Sequence, residues 1–376
     1  MLSSIIPQPL ARLPWTLIAL VFLIGSFGVA HLYSAAGGSL QPWALRQGAI
    51  FLFMFVIALG VSYVPESWIK GLTPIAYVVI LAMLLAVEFV GFVGMGAQRW
   101  IDLGFMKLQP SEFMKPVLVL ILARFYELLP TGDLNKFRAI WPAALLTGIP
   151  AALTLIQPDL GTALVLILGG IVVMFLAGLP WWYFAGGAAA AAAVIPIAIQ
   201  FLEPYQQRRI LIFLDPEADP LGAGYNLTQS KIAIGSGGMW GKGYMQGSQS
   251  HLEYLPEGHT DFAFSAIVEE WGLFGGVILI LAFGGVLAWG LRVSRRARTR
   301  FAQLAAAGLT MTLFFYVAIN LMMVMGLAPV VGIPLPLVSN GGSVVMTTML
   351  MIGILVAFDR QTKTAEIRRK SGLSSA

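Results

Sequence analysis

Residues 14–34 read PWTLIALVFLIGSFGVAHLYS, a run without a single Lys, Arg, Asp or Glu. About 20 apolar residues in a helix cross the ~30 Å of bilayer hydrocarbon. The run therefore predicts a membrane span. No small-residue cleavage site and soluble chain follow it, so it reads as a first span and not as a removable leader. Working outward, nine more runs of this kind lie near 47–65, 72–94, 112–129, 139–156, 160–178, 181–201, 262–290, 302–326 and 343–358. Gln157, Pro158 and Asp159 divide the fifth from the sixth. The expected fold is an all-α polytopic membrane protein of about ten transmembrane helices, one membrane domain over residues 1–376. Residues 202–261 form a single long extracytoplasmic loop between spans seven and eight.

Composition agrees. The chain is 58% hydrophobic and 11% charged, where a soluble domain carries about 25% charged residues. With no cysteine, disulfides, thiolate metal sites and cysteine nucleophiles are excluded. The net charge of +5 does not point to nucleic acid, because its distribution is topological. Fifteen basic residues fall on one set of alternate loops, among them Arg292, Arg295, Arg296, Arg298 and Arg300 and the tail Arg368, Arg369 and Lys370. Seven fall on the other: Arg46, Arg99, Lys107, Arg208, Arg209, Lys231 and Lys242. The positive-inside rule then places both termini in the cytoplasm and the 202–261 loop outside.

Even-numbered spans begin at the outer face, and four of them open on polar signatures: Gln109-Pro110-Ser111-Glu112, Gln157-Pro158-Asp159, His259-Thr260-Asp261 and Ser339-Asn340-Gly341-Gly342-Ser343. Capping explains any one of these, and Thr260 suits the N-cap of a helix beginning at Asp261. Four on one face, joined by Arg99, Arg208 and Lys242, also suit a diphosphate at the outer leaflet, since helix N-termini attract anions. Lys115 lies one turn after Glu112, so an intrahelical pair accounts for it; Asp159 is the alternative partner. Glu269 and Glu270 read as structural.

His251 and His259 flank Glu253, Glu257 and Asp261 in a spacing that matches no zinc pattern. No fixed metal is expected; a divalent cation, Mg or Mn, arriving with a substrate diphosphate is the optional companion. The run 235–243, GSGGMWGKG, is not a phosphate loop: Lys242 is followed by Gly243, and tight backbone packing explains its glycines. Asp261 is the candidate base. It opens a helix at the lipid boundary, where a carboxylate is partly desolvated, and a transfer from a sugar diphosphate needs one such group.

These residues fall in long motifs, in order along the chain: GAQRWIDLG at 96–104, LQPSEFMK at 108–115, QPDLGTAL at 157–164, QSKIAIGSGGMWGKG at 229–243, LPEGHTDFAF at 255–264, Asn320, and GIPLPLVS at 332–339. In them the sequence closely resembles the SEDS family, in its branch serving lateral wall elongation. The resemblance implies a peptidoglycan glycosyltransferase of the bacterial inner membrane, its active site facing the periplasm. It would polymerise lipid II onto a nascent strand held by undecaprenyl diphosphate. The implied partners are a class B penicillin-binding protein and the elongation machinery. It also implies that Asp261, the aspartate of the HTDF motif, is catalytic, and that Arg99, Glu112, Lys115, Asp159 and Lys242 are important polar positions. His259, Arg208 and Ser339 complete the expected substrate-binding set. The chain departs from the family in carrying Asn340 where Tyr is usual. A lipid II flippase and a non-catalytic scaffold are the competing readings. The first needs ionisable groups through the depth of the bilayer, whereas here they crowd the outer third.

Overall fold

The computed structural model describes residues 13–94, 97–102, 104, 107–198, 207, 223–252 and 254–370. Each of the ten apolar runs is a helix: α1 (Trp15–Ala35), α2 (Ala44–Val61), α3 (Glu66–Val90), α4 (Pro110–Leu128), α5 (Trp141–Ile156), α6 (Leu160–Leu176), α7 (Trp181–Ala198), α10 (Ala263–Arg296), α11 (Arg300–Val324) and α12 (Gly342–Lys370). Two shorter helices, α8 (Ala223–Ser236) and α9 (Ser248–His251), lie in the 202–261 loop. Among the described residues, α1, α2, α3, α5, α10, α11 and α12 are long and apolar enough to cross a membrane, and α6 is a shorter apolar helix.

The bundle has two packed halves. One core gathers side chains of α3, α4, α5 and α6, the other those of α1 and α2, and α10, α11 and α12 contribute to both. Burial locates the centre: 78% of the spanning window of α12 and 61% of that of α11 are buried, against 22% for α3. The outward faces are apolar, with Phe89 83% and Leu281 67% exposed, as lipid contact requires. Lipid supplies no hydrophobic drive between helices, so small residues set their approach. A Cβ at Gly290 would lie 2.3 Å from Thr310 Oγ1, and one at Gly308 2.6 Å from Val119.

Two features lie outside the expected pattern. Three short strands pair as a small antiparallel sheet, β1 (Phe92–Gly94), β2 (Ala97–Asp102) and β3 (Lys107–Leu108), in that order. The break in α10 is larger. Gly272 has φ 67° and ψ −171°, so the helix is interrupted there. The bonds it gives up are replaced by the glycine loop: Leu273 N–H donates to Gly238 O (2.9 Å), Lys242 N–H to Glu269 O (2.9 Å) and Gly243 N–H to Glu270 O (3.0 Å). A Cβ at Gly241 would lie 2.1 Å from Glu270 O, at a φ of +81°. Gly237 and Gly241 thus serve contact between two backbones. Gly241→Ala is expected to cost about 3 kcal/mol, from overpacking plus a left-handed backbone. Gly235, with open space around its Cβ position, is the control. Thermal unfolding of both variants checks this, and equal melting points would refute it.

Candidate active site at the outer helix ends

The site is built around irregular backbone between α11 and α12. Ile333, Leu335, Val338 and Ser339 are all buried. The segment is held as a turn: Leu335 N–H donates to Ser339 Oγ (2.9 Å) and Ser339 N–H to Leu335 O (2.9 Å). From α2, Gln47 Nε2 donates to Ser339 O (2.9 Å). Non-helical backbone at this depth is tolerated where protein buries it. The Ser339 hydroxyl is therefore engaged by the turn.

The four polar helix starts converge on this segment. Gln109, the N-cap of α4, donates its N–H to Ser343 Oγ on α12 (3.0 Å) and its Nε2 to Asp159 Oδ2 (2.9 Å). Asp159 caps α6 by accepting from Thr162 N–H (3.1 Å). Gly161 brings α6 so close that a Cβ would lie 2.4 Å from Val331 O. Asn340 N–H donates to His259 O (2.8 Å), bringing in the approach to α10.

Asp261 is half-buried and precedes α10. The helix begins at Ala263 with Phe262 as N-cap and no side-chain cap, not at Asp261 behind Thr260. The Thr260 hydroxyl turns instead to the Glu257 carboxylate three residues back. Asn320 Nδ2 donates to the Asp261 carbonyl (2.8 Å), and a Cβ at Gly332 would stand 3.5 Å from Asp261 Oδ2. Next to it His259 stacks on Trp43, ring centroids 4.0 Å apart at 17°.

Burial lowers the His259 pKa below its ordinary 6.5, with the Glu257 charge opposing. The unfolded chain thus binds this proton more tightly than the folded one. His259 therefore costs stability progressively as pH falls below about 6.5. His259→Gln is expected to flatten the decline in melting temperature between about pH 7 and pH 5. Parallel declines in parent and variant would refute this.

The remaining expected residues sort by partner. Lys115 Nζ donates to Glu112 Oε1 (2.6 Å) and to Tyr316 Oη (2.8 Å), and the Tyr316 hydroxyl donates to Glu112. All three are buried, so the intrahelical pair is the arrangement found, closed by a tyrosine of α11. Asp159 is engaged elsewhere. Arg99 donates through Nε to Gln157 O (3.0 Å) and through Nη2 to Pro158 O, at the negative end of α5. Lys242 Nζ donates to Glu269 Oε1 (2.6 Å) and Ser248 Oγ (2.8 Å). Glu269, fully buried, also accepts from Gln249 N–H (3.0 Å), in keeping with the structural role expected of it. Lys231 on α8 is exposed. Arg208 lies outside the described residues. Among the described residues no three His, Asp or Glu side chains converge to hold a metal ion. The sequence reading passed over Trp43 and Tyr316, whose partners are remote in sequence. It took Asn320 only as a motif residue, although an amide inside an apolar span is itself a signal.

Residues 11–364 match the family described as Cell cycle protein, whose name joins FtsW, RodA and SpoVE. The chain is 40% identical over 351 residues to the peptidoglycan glycosyltransferase MrdB of Escherichia coli K12, covering 93% of this chain and 94% of that one. Its fold is similar to a chain in the structure of a peptidoglycan synthase complex concerned with coordinating polymerization and crosslinking: TM-score 0.81, 33% identity, 93% of this chain and 98% of that one. It is also similar to the rod shape determining protein RodA of Thermus thermophilus: TM-score 0.70, 29% identity, 93% of this chain and 97% of that one.

Proposed function

The chain belongs to the FtsW, RodA and SpoVE family of cell cycle proteins, and on that premise we propose how its site at the outer helix ends works. The protein is a multi-pass membrane peptidoglycan glycosyltransferase of the RodA type. Its substrate is lipid II, presented at the outer face of the bacterial inner membrane, with both termini in the cytoplasm. Asp261 takes the proton from the acceptor sugar hydroxyl. That oxygen bonds to the anomeric carbon of the growing strand, the carbon–oxygen bond to the diphosphate breaks, and undecaprenyl diphosphate leaves with inversion.

The observation that carries this reading is the half-buried Asp261 set where four helix starts meet. One base amid N-terminal dipoles suits displacement of a diphosphate better than the paired carboxylates of glycoside hydrolysis. Arg99, Lys115 and Lys242 already have protein partners. The exposed Lys231 is then the natural contact for the diphosphate, with His259 and Trp43 flanking the sugar. Glu112, Asp159 and Ser339 frame the site. A divalent cation, if used, comes with the substrate's phosphates. Its role there is to neutralise charge on the leaving group.

The partner on this reading is a class B penicillin-binding protein, and the setting is lateral wall elongation. Buried ionisable groups support an enzyme over a flippase. Glu112, Lys115, Asp159, Glu269 and Glu270 all lie within about two turns of an outer helix start, and Asp359 at the opposite end pairs with Lys363. Purified protein given labelled lipid II, with and without the penicillin-binding protein, tests the reading. Glycan strands are expected, and none under either condition would refute it.

A further inference from the structure

We infer that Asn320 is a positioning residue for the transfer: its carboxamide braces the Asp261 main chain against the segment ahead of α12, and so fixes where the Asp261 carboxylate stands. The inference rests on the reading of Asp261 as the base. Asn320 is fully buried in α11. Its Nδ2 carries two hydrogens and uses both, one on Asp261 O at 2.8 Å and one on Ile333 O at 2.7 Å. Both acceptors are carbonyls, which fixes the orientation of the amide; a reversed amide would set oxygen against oxygen. Oδ1 makes no hydrogen bond among the described residues, so the side chain acts there as a double donor.

The two carbonyls come from backbone that helical bonding does not secure. In the first turn of α10, Ser265 and Ala266 N–H bond to Phe262 O, one residue beyond Asp261. Ile333 lies in irregular backbone, next to Gly332, whose φ is +73° and whose Cβ position is 3.5 Å from Asp261 Oδ2. One amide thus sets the spacing between the base and the wall it faces. Its mount is rigid: one helical turn earlier on α11, Tyr316 is fixed to α4 through Glu112 and Lys115. Without the brace, the Asp261 and Ile333 carbonyls lose the amide that ties one to the other.

The test uses full-length Asn320→Ala and Asn320→Asp in lipid II polymerisation, with the folded fraction measured by size exclusion and activity expressed per folded molecule. Aspartate keeps the shape of asparagine but, ionised, donates nothing. Both variants should lose about 100-fold in kcat while KM for lipid II stays within about twofold, the pattern of a displaced catalytic group. In Asn320→Asp, lowering the pH returns one donor, so relative to the parent its activity should recover toward acid. If alanine gives no folded protein, Asn320→Ser carries the same comparison. Unchanged kcat, or a loss that only tracks the folded fraction, overturns the inference. If Asp261→Asn is inactive while the Asn320 variants are not, this inference fails and the catalytic reading stands. If Asp261→Asn is active, the catalytic reading itself fails.

Discussion

Asp261→Asn is expected to slow glycan strand synthesis by a factor of about 10²–10⁴, the usual contribution of a positioned general base. The substitution is close to isosteric, and it leaves the backbone contact intact, because Asn320 holds the residue through its carbonyl and not through its carboxylate. The change therefore removes the negative charge and the basic oxygen while keeping the Asn320 contact. Folding, membrane insertion and retention of lipid II should match the parent. Single-turnover assays with labelled lipid II, normalised to folded protein, measure the effect, and a rate within a few-fold of the parent would remove Asp261 from the role of base. Because the barrier lost is chemical, saturating lipid II should not restore the rate.

Lys115→Met is expected to destabilise the protein by about 3–5 kcal/mol, since it strands Glu112 in a buried setting. The pair is 2.6 Å apart and side-chain exposure is 2% for Lys115 and 4% for Glu112. The double variant Glu112→Gln with Lys115→Met should recover most of that loss, because the amide is neutral and still accepts from Tyr316. Equilibrium unfolding in detergent measures this. A single variant as stable as the parent, or a double variant less stable than the single, would show that the cluster is not a coupled unit. Lys136 and Asp133 form a pair of the same length at one end of the bundle, and Lys136→Met should change little, because Lys136 is solvated and Asp133 keeps Arg138 as a partner.

The spanning helices were legible because charge-free runs of bilayer length admit few other structures. Even α4 was found, although Glu112, Lys115, Arg124 and Glu127 interrupt it. The place of Asp261 was legible to within two residues of the helix start, since a carboxylate there is conspicuous in an apolar chain. What the sequence hid was pairing. Arg99 reads as a free outer cation until the carbonyls of Gln157 and Pro158 are seen at its guanidinium. Lys242 reads the same way until Glu269 closes on it. Thr260 satisfied the capping rule but lost to a competing contact with Glu257 three residues away. The segment ahead of α12 could not be foreseen as a buried turn, because Gln47, which holds it, is 292 positions away.

The break at Gly272 divides α10 into an outer part that begins beside Asp261 and a long shaft that ends at Arg296. The outer part is moored to the glycine loop by main-chain bonds, while the shaft lies among the spanning helices. A bilayer that thickens or thins changes the tilt of its helices. Because Leu273 and Phe274 at the head of the shaft bond to the same glycine loop as the outer part, a change of tilt reaches that loop before it reaches the carboxylate.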